Sequence, residues 1–302
     1  MTPGLPDAAP VFRFAPSPNG RLHLGHALSA LTNERLARSM GGRLLLRIED
    51  IDLSRCRPEF DQAIGEDLAW LGLRFDGELR RQSQHFADYA AALRNLVDQG
   101  LAYPCFCTRQ AIRRAVAQRE AERGAAWPVD PDGAPLYPGT CRCLGERDRL
   151  DRMAAGAPFQ WRLDMARACA RARSLQPAPL TYGMFAATGA TLDPVPVDPE
   201  RWGDVVLARK DTPTSYHLSV VVDDALQGVT HVVRGRDLEA ATEIHVLLQR
   251  LLGLPTPLYH FHPLLTDASG QKLAKSRGSR SLASLRAEGV TAEALRRQLG
   301  FG

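Results

Sequence analysis

Hydrophobic positions in the first fifty residues follow two different spacings. Val11 to Ala15 is a short apolar run that predicts a buried strand. After a turn holding Pro16, Pro18 and Gly20, the spacing of Leu28, Leu31 and Leu36 predicts a helix beginning near Gly25. Gly41 and Gly42 stop it, and Leu44, Leu45, Leu46 and Ile48 predict a second strand ending at Glu49 and Asp50. Parallel sheets gather ligands beyond the carboxyl ends of their strands, so this strand, helix, strand unit should bring Ala15 to Ser17 and Glu49 to one crevice. Two amphipathic helices follow. One starts at Pro58, carries Phe60, Ile64, Leu68 and Leu71 and ends at Gly72; the other runs from about Ser83 to Gly100 on Phe86, Tyr89, Leu93 and Leu96.

The pattern changes between Cys105 and Cys143, where an arginine-rich helix and a Pro/Gly loop read as an insertion. Gln176 to Pro199 is proline-rich and predicts loop with little regular structure. Val205 to Ala208, Ser215 to Val222 and Val229 to Val233 are three β-rich runs, followed by a helix on Ile244, Leu247, Leu248 and Leu251 and a last strand at Tyr259 to Leu265. This alternation predicts an α/β fold around a layered sheet.

Composition narrows the function classes. A net charge of +4 permits a polyanionic partner without requiring one. No run approaches the roughly 20 apolar residues of a membrane span. Met1 to Pro10 lacks the basic and apolar regions of a signal peptide, so a cytoplasmic address is expected. Of the six cysteines, Cys105, Cys107, Cys141 and Cys143 form two C-x-C pairs within 39 residues, which in a reducing compartment suggests metal rather than disulfides. Thiolates so spaced suit a closed zinc site that would stabilise an insertion with little core. Cys56 and Cys169 read as small core residues.

Two segments carry candidate phosphate chemistry. In Pro16 to His26, His23 and His26 flank Gly25 at the mouth of a helix, where unpaired N–H groups attract anions. Gly25 permits close approach of a nucleotide, and both imidazoles can reach a triphosphate; the alternative is a helix cap alone. Lys272-Leu273-Ala274-Lys275-Ser276 lies in a turn-bounded loop more than 240 residues later. Its lysines either close on a triphosphate or belong to a solvated face.

Together these motifs make the chain resemble the class I aminoacyl-tRNA synthetases, and in particular their glutamyl branch. The resemblance extends through Phe12 to Pro18, Leu46 to Asp52, Val220 to Asp224 and Val233 to Asp237. Ser17, where the glutaminyl branch typically has glutamate, favours glutamate as substrate. The resemblance implies a Rossmann-like catalytic core with a parallel sheet, in two halves over 1–104 and 201–302, and an inserted zinc-binding helical region over 105–200. It further implies ATP binding by Pro16, His23, Gly25, His26 and Lys275, with Lys272 beside them. Glutamate binding falls to Arg13, Ala15, Ser17, Glu49, Tyr216 and Arg234, whose charges match two carboxylates and one ammonium. The family's zinc set of three cysteines and a tyrosine maps to Cys105, Cys107, Tyr137 and Cys141, with Cys143 a competitor of Tyr137. Ala274 departs from the family's usual serine and leaves both lysines in place.

The sequence ends 26 residues after Ser276, too few for the roughly 50 of a separate domain, so no anticodon-binding domain is expected. With the C-x-C and Tyr137-Pro138-Gly139-Thr140-Cys141 arrangement, this resembles the glutamyl-queuosine tRNA(Asp) synthetases of that branch. The implied partners are ATP with Mg²⁺, L-glutamate and queuosine-containing tRNA(Asp), handled by a monomer. Glutamate would be activated without tRNA and passed to the modified wobble base. Charging of a tRNA 3′ end and an inactive RNA-binding paralogue are the rival expectations.

Overall fold

The computed structural model describes residues 9–265 and 280–302. The lysine loop with Lys272 and Lys275 lies outside the described residues. In chain order the elements are β1 (Val11–Phe14), α1 (Leu24–Ser39), β2 (Arg43–Ile48), α2 (Pro58–Trp70), β3 (Arg80–Arg81), α3 (Phe86–Asp98), β4 (Ala102–Cys105), α4 (Arg109–Arg123), α5 (Glu146–Ala154), β5 (Gln160–Leu163) and α6 (Met165–Leu175). They continue with β6 (Thr181–Phe185), β7 (Thr191–Pro196), β8 (Val206–Ala208), α7 (Tyr216–Leu226), β9 (His231–Gly235), α8 (Thr242–Leu252), β10 (Leu258–His262), α9 (Leu282–Ala287) and α10 (Ala292–Gln298).

A seven-stranded sheet runs β3-β2-β1-β9-β10-β6-β7 and is parallel except for the β6–β7 pair. This is the mostly parallel α/β core expected. Strand alternation sends side chains to both faces. In β9, Val233 packs with Phe12 of β1 and with Leu36 and Ala37 of α1, whereas Val232 joins Val246 of α8. The order reverses at β1, flanked by β2 and β9, and such a switch point opens a crevice beyond the strand ends. A second sheet, β4-β5-β8, is antiparallel and adjoins the cysteine-bearing segment.

Two elements differ from expectation. Ser215 to Val222, read as β-rich, lies in the helix α7 and its cap: the Ser215 hydroxyl accepts from the Leu218 N–H. Val220, Val221 and Val222 favour strands, but burial between α3 and α8 outweighs that weak preference. The segment read as loop contains β6 and β7, which pair with each other and, through β6, with β10. Pro194 and Pro196 fall in β7, at the sheet edge, where a missing N–H leaves no neighbouring strand unpaired. The large sheet thus takes two strands from the 105–200 region, and β8, from beyond it, completes the small sheet.

Candidate functional site

An open cavity of ≈ 520 Å³ lies beyond the ends of β1, β2, β9 and β10. Arg13, Ala15, Pro16, Ser17, His23, Gly25, His26, Glu49, Tyr216 and Arg234 all line it. Residues expected to handle phosphate and residues expected to handle glutamate therefore share one space large enough for a small ligand.

The helix mouth is built by its own histidines. His23 Nδ1 accepts from the Gly25 N–H at 3.1 Å, and His26 Nδ1 accepts from the His23 N–H at 3.1 Å, a reciprocal capping pair. Because backbone N–H groups only donate, Nδ1 of each ring is the unprotonated acceptor and the ring's proton is on Nε2. The ring centroids are 3.9 Å apart. A Cβ on Gly25 would lie 3.0 Å from His23 Cε1, so any side chain there presses on the capping ring. The imidazoles thus cap the helix through Nδ1.

Beneath the cavity lies a buried charge network of which the sequence singled out only Arg13 and Glu49. Arg13 Nε donates to Asp224 at 3.2 Å, and Arg47, fully buried, donates to the same carboxylate at 2.6 Å. Asp223 accepts from Arg80 at 2.7 Å, Gln82 at 2.8 Å and Tyr89 at 2.9 Å. Arg13 holds the Asp224 carboxyl below its ordinary range against the opposing effect of burial. Glu49 lies 3.6 Å from Arg47 Nε. Burial pushes its pKa up to about 7, although Arg47 and Arg13 pull it down. In the sequence Arg47 stands as a charge between Leu46 and Ile48 in an apolar strand, inside a block that resembles the family but with no role assigned to it.

Arg234 is 4% exposed and held from α8, with one terminal nitrogen donating to Thr242 Oγ1 and the other to His245 Nδ1 at 3.2 Å. An arginine cannot accept, so His245 carries its proton on Nε2, which donates to His217 Nδ1 at 3.2 Å. Burial, then Arg234, holds His217 down to about 4 and His245 well below the ordinary histidine value. Both rings are neutral and do not compete with Arg234 for an anion. Arg234 Nε is buried and, among the described residues, has no hydrogen-bond partner. The arginine that lines the cavity thus has its orientation already set.

The sulfur atoms of Cys105, Cys107 and Cys141 lie within 4.8 Å of one another, so this cluster could hold a metal ion. Tyr137 Oη is 3.3 Å from Cys105 Sγ and 3.5 Å from Cys107 Sγ. Cys107 and Cys141 sulfurs are 3.4 Å apart, near the ~3.8 Å that tetrahedral zinc with ~2.3 Å bonds requires. Hydrogen bonding with Cys141, and after it with Tyr137, holds the Cys105 thiol below its ordinary pKa against burial. The donor set fits a zinc-type ion. Cys143 is exposed and stands outside the cluster.

Over residues 11–301 the sequence matches the family of tRNA synthetases class I (E and Q), catalytic domain. The Glutamyl-Q tRNA(Asp) synthetase of Rhodobacter capsulatus is 46% identical over 296 residues, covering 96% of this chain and 100% of that protein. The one from Nocardia farcinica is 42% identical over 93% of this chain and 80% of its own length. Among solved structures, the glutamate–tRNA synthetase of Elizabethkingia anophelis has a TM-score of 0.71 at 27% identity over 90% of this chain and 53% of that one. The chain spans about half the length of that synthetase. It belongs to the E and Q group of class I tRNA synthetases, and within that group to the glutamyl-Q tRNA(Asp) synthetases.

Proposed function

We propose that this chain activates L-glutamate with ATP as the adenylate and transfers the glutamyl group to the queuosine base at the wobble position of tRNA(Asp). The observation that carries the chemistry is the single cavity in which Arg13, Arg234 and Glu49 meet the histidine-capped terminus of α1. The acceptor follows from the named relatives that match this chain along nearly its whole length. Arg234 and Arg13 receive the carboxylates, while Glu49 and Ser17 receive the ammonium. The α-carboxylate oxygen attacks the α-phosphorus, a carboxyl–phosphate anhydride forms, and pyrophosphate leaves. Nε2–H groups of His23 and His26 stabilise charge growing on the phosphates, and Lys272 and Lys275 act in the same step. Mg²⁺ accompanies ATP and offsets its charge. A hydroxyl of the cyclopentenediol then attacks the adenylate carbonyl and AMP departs.

We assign the Cys105, Cys107, Cys141 and Tyr137 cluster to a structural zinc ion. Its four groups lie on either side of α4 and would tie the ends of the insertion together.

The experiment that tests the acceptor uses labelled glutamate, ATP and tRNA(Asp) with or without queuosine. Label is expected only on the queuosine-containing tRNA; equal labelling of both would establish 3′-end charging instead.

Glu49 gives the activation step a pH signature. Ammonium binding needs the ionised carboxylate, and the raised pKa means that the free site is protonated below about 7. Apparent affinity for glutamate should therefore fall by about tenfold per pH unit below that point and level off above it. In Glu49→Gln the dependence should disappear and binding stay weak throughout. Kinetics of ATP–pyrophosphate exchange across this range measure it, and a flat wild-type profile would remove Glu49 from the ammonium site.

A further inference from the structure

The 105–200 region holds a buried cation that neither the glutamate nor the phosphate chemistry uses. Arg162 stands on β5, the middle strand of the small sheet, opposite Tyr103 of β4 and Val206 of β8. It is 9% exposed. Its Nη1 donates to the Asp204 carbonyl oxygen at 2.7 Å, while its Nε is buried and, among the described residues, has no hydrogen-bond partner. No carboxylate oxygen among the described residues pairs with it. The Asp204 carboxylate serves others, accepting from Tyr103 at 2.6 Å, from Arg142 at 3.0 Å and from the Met165 N–H at 3.0 Å. A guanidinium so buried is costly without an opposite charge, and the neighbouring carboxylates do not supply one.

What Arg162 does face is Tyr137. Its guanidinium carbon lies 4.1 Å from the ring centroid, within cation–π range. The same phenol reaches the cysteine cluster, where its oxygen accepts from the Cys141 N–H at 2.8 Å and lies 3.3 Å from Cys105 Sγ. Three thiolates around a divalent ion leave one net negative charge before the tyrosine oxygen is counted. Arg162 is the cation already packed against a ring of that donor set.

We propose that Arg162 is the counter-charge of the metal centre and that, by packing over Tyr137, it holds the phenol oxygen against the three sulfurs. It is not a ligand but a positioning residue that acts through one. The assignment rests on the zinc reading above and adds the residue outside the donor set that retains the ion.

The test compares the full chain as wild type, Arg162→Gln, Arg162→Lys and Tyr137→Phe. Zinc affinity is measured by competition with a chromophoric chelator, and melting is followed with zinc and after its removal. Arg162→Gln, whose amide can still donate to the Asp204 carbonyl, should bind zinc about 10- to 100-fold more weakly than wild type. Zinc should raise its melting point less than that of wild type, whereas the zinc-free variant should melt no lower than zinc-free wild type, because an uncompensated buried charge has gone. Arg162→Lys keeps the charge without the flat face and should fall between the two. In cobalt-substituted protein the visible bands of Arg162→Gln should move toward those of Tyr137→Phe, since the oxygen is no longer held. Wild-type affinity in Arg162→Gln would overturn the proposal, as would equal destabilisation with and without zinc, the mark of an ordinary structural arginine. Arg162→Lys binding as weakly as Arg162→Gln would overturn the counter-charge role, and unmoved cobalt bands in Arg162→Gln would overturn the hold on Tyr137. Wild-type protein that binds no zinc would overturn the zinc reading and this assignment with it.

Discussion

Replacing Arg234 by lysine is expected to lower kcat/KM for glutamate in ATP–pyrophosphate exchange by about two to three orders of magnitude, mainly through KM. The guanidinium already serves Thr242 and His245 and packs over the rings of Tyr259 and Phe261, at 5.3 and 5.7 Å from their centroids. It does this while keeping a buried Nε–H unpaired. An ammonium is a compact charge without that planar fork and cannot satisfy α8 and a carboxylate together. Breaking one partner of a buried charged contact typically costs about 3–5 kcal/mol, which is the source of the expected range. Discrimination against glutamine should fall as well, because an all-donor edge is what rejects an amide. Wild-type KM in Arg234→Lys would show that the carboxylate binds elsewhere.

Loss of metal from the cysteine cluster should have an effect of similar size on stability, with a different distribution over the molecule. Purified protein is expected to contain about one zinc per chain, and Cys141→Ser or a strong chelator should release it. Arg109 to Arg123 would then become the preferred site of tryptic cleavage, since α4 buries only Val116 and its anchors are the thiols at either side. Cys143→Ser should retain the metal. Zinc content near zero in untreated wild type, or metal release by Cys143→Ser alone, would rule out the assigned ligand set.

Much of the site was legible because its signals are local. The turn Pro16 to His26 sits between a strand and a helix whose spacings are plain, and the rule that ligands gather beyond parallel strand ends then brings Ala15, Ser17 and Glu49 together. Arg13, Tyr216 and Arg234 were reached through resemblance, since nothing near them in the chain identifies a carboxylate site. His245 and His217 were missed for a physical reason. Their importance lies in which ring nitrogen carries the proton, and that is decided by Arg234 for His245 and by His245 for His217. Arg47 was missed because its partner Asp224 lies 177 positions away. Helix α7 was misread because Val220 to Val222 carry a strand-like preference while their environment, packed from several sides, does not. The prolines of β7 hid a strand that an edge position tolerates.

The ion pairs of Asp223 and Asp224 join residues 143, 177 and 211 positions apart. During synthesis Arg13, Arg47 and Arg80 emerge well before either carboxylate, and for that interval β1 and β2 cannot be buried without leaving guanidinium groups uncompensated. Such long-range pairing slows folding and extends the exposure of apolar strand edges. A nascent chain ending before α7 therefore lacks Tyr216, Arg234 and both carboxylates, and the cavity forms only once the second half of the sheet has been made.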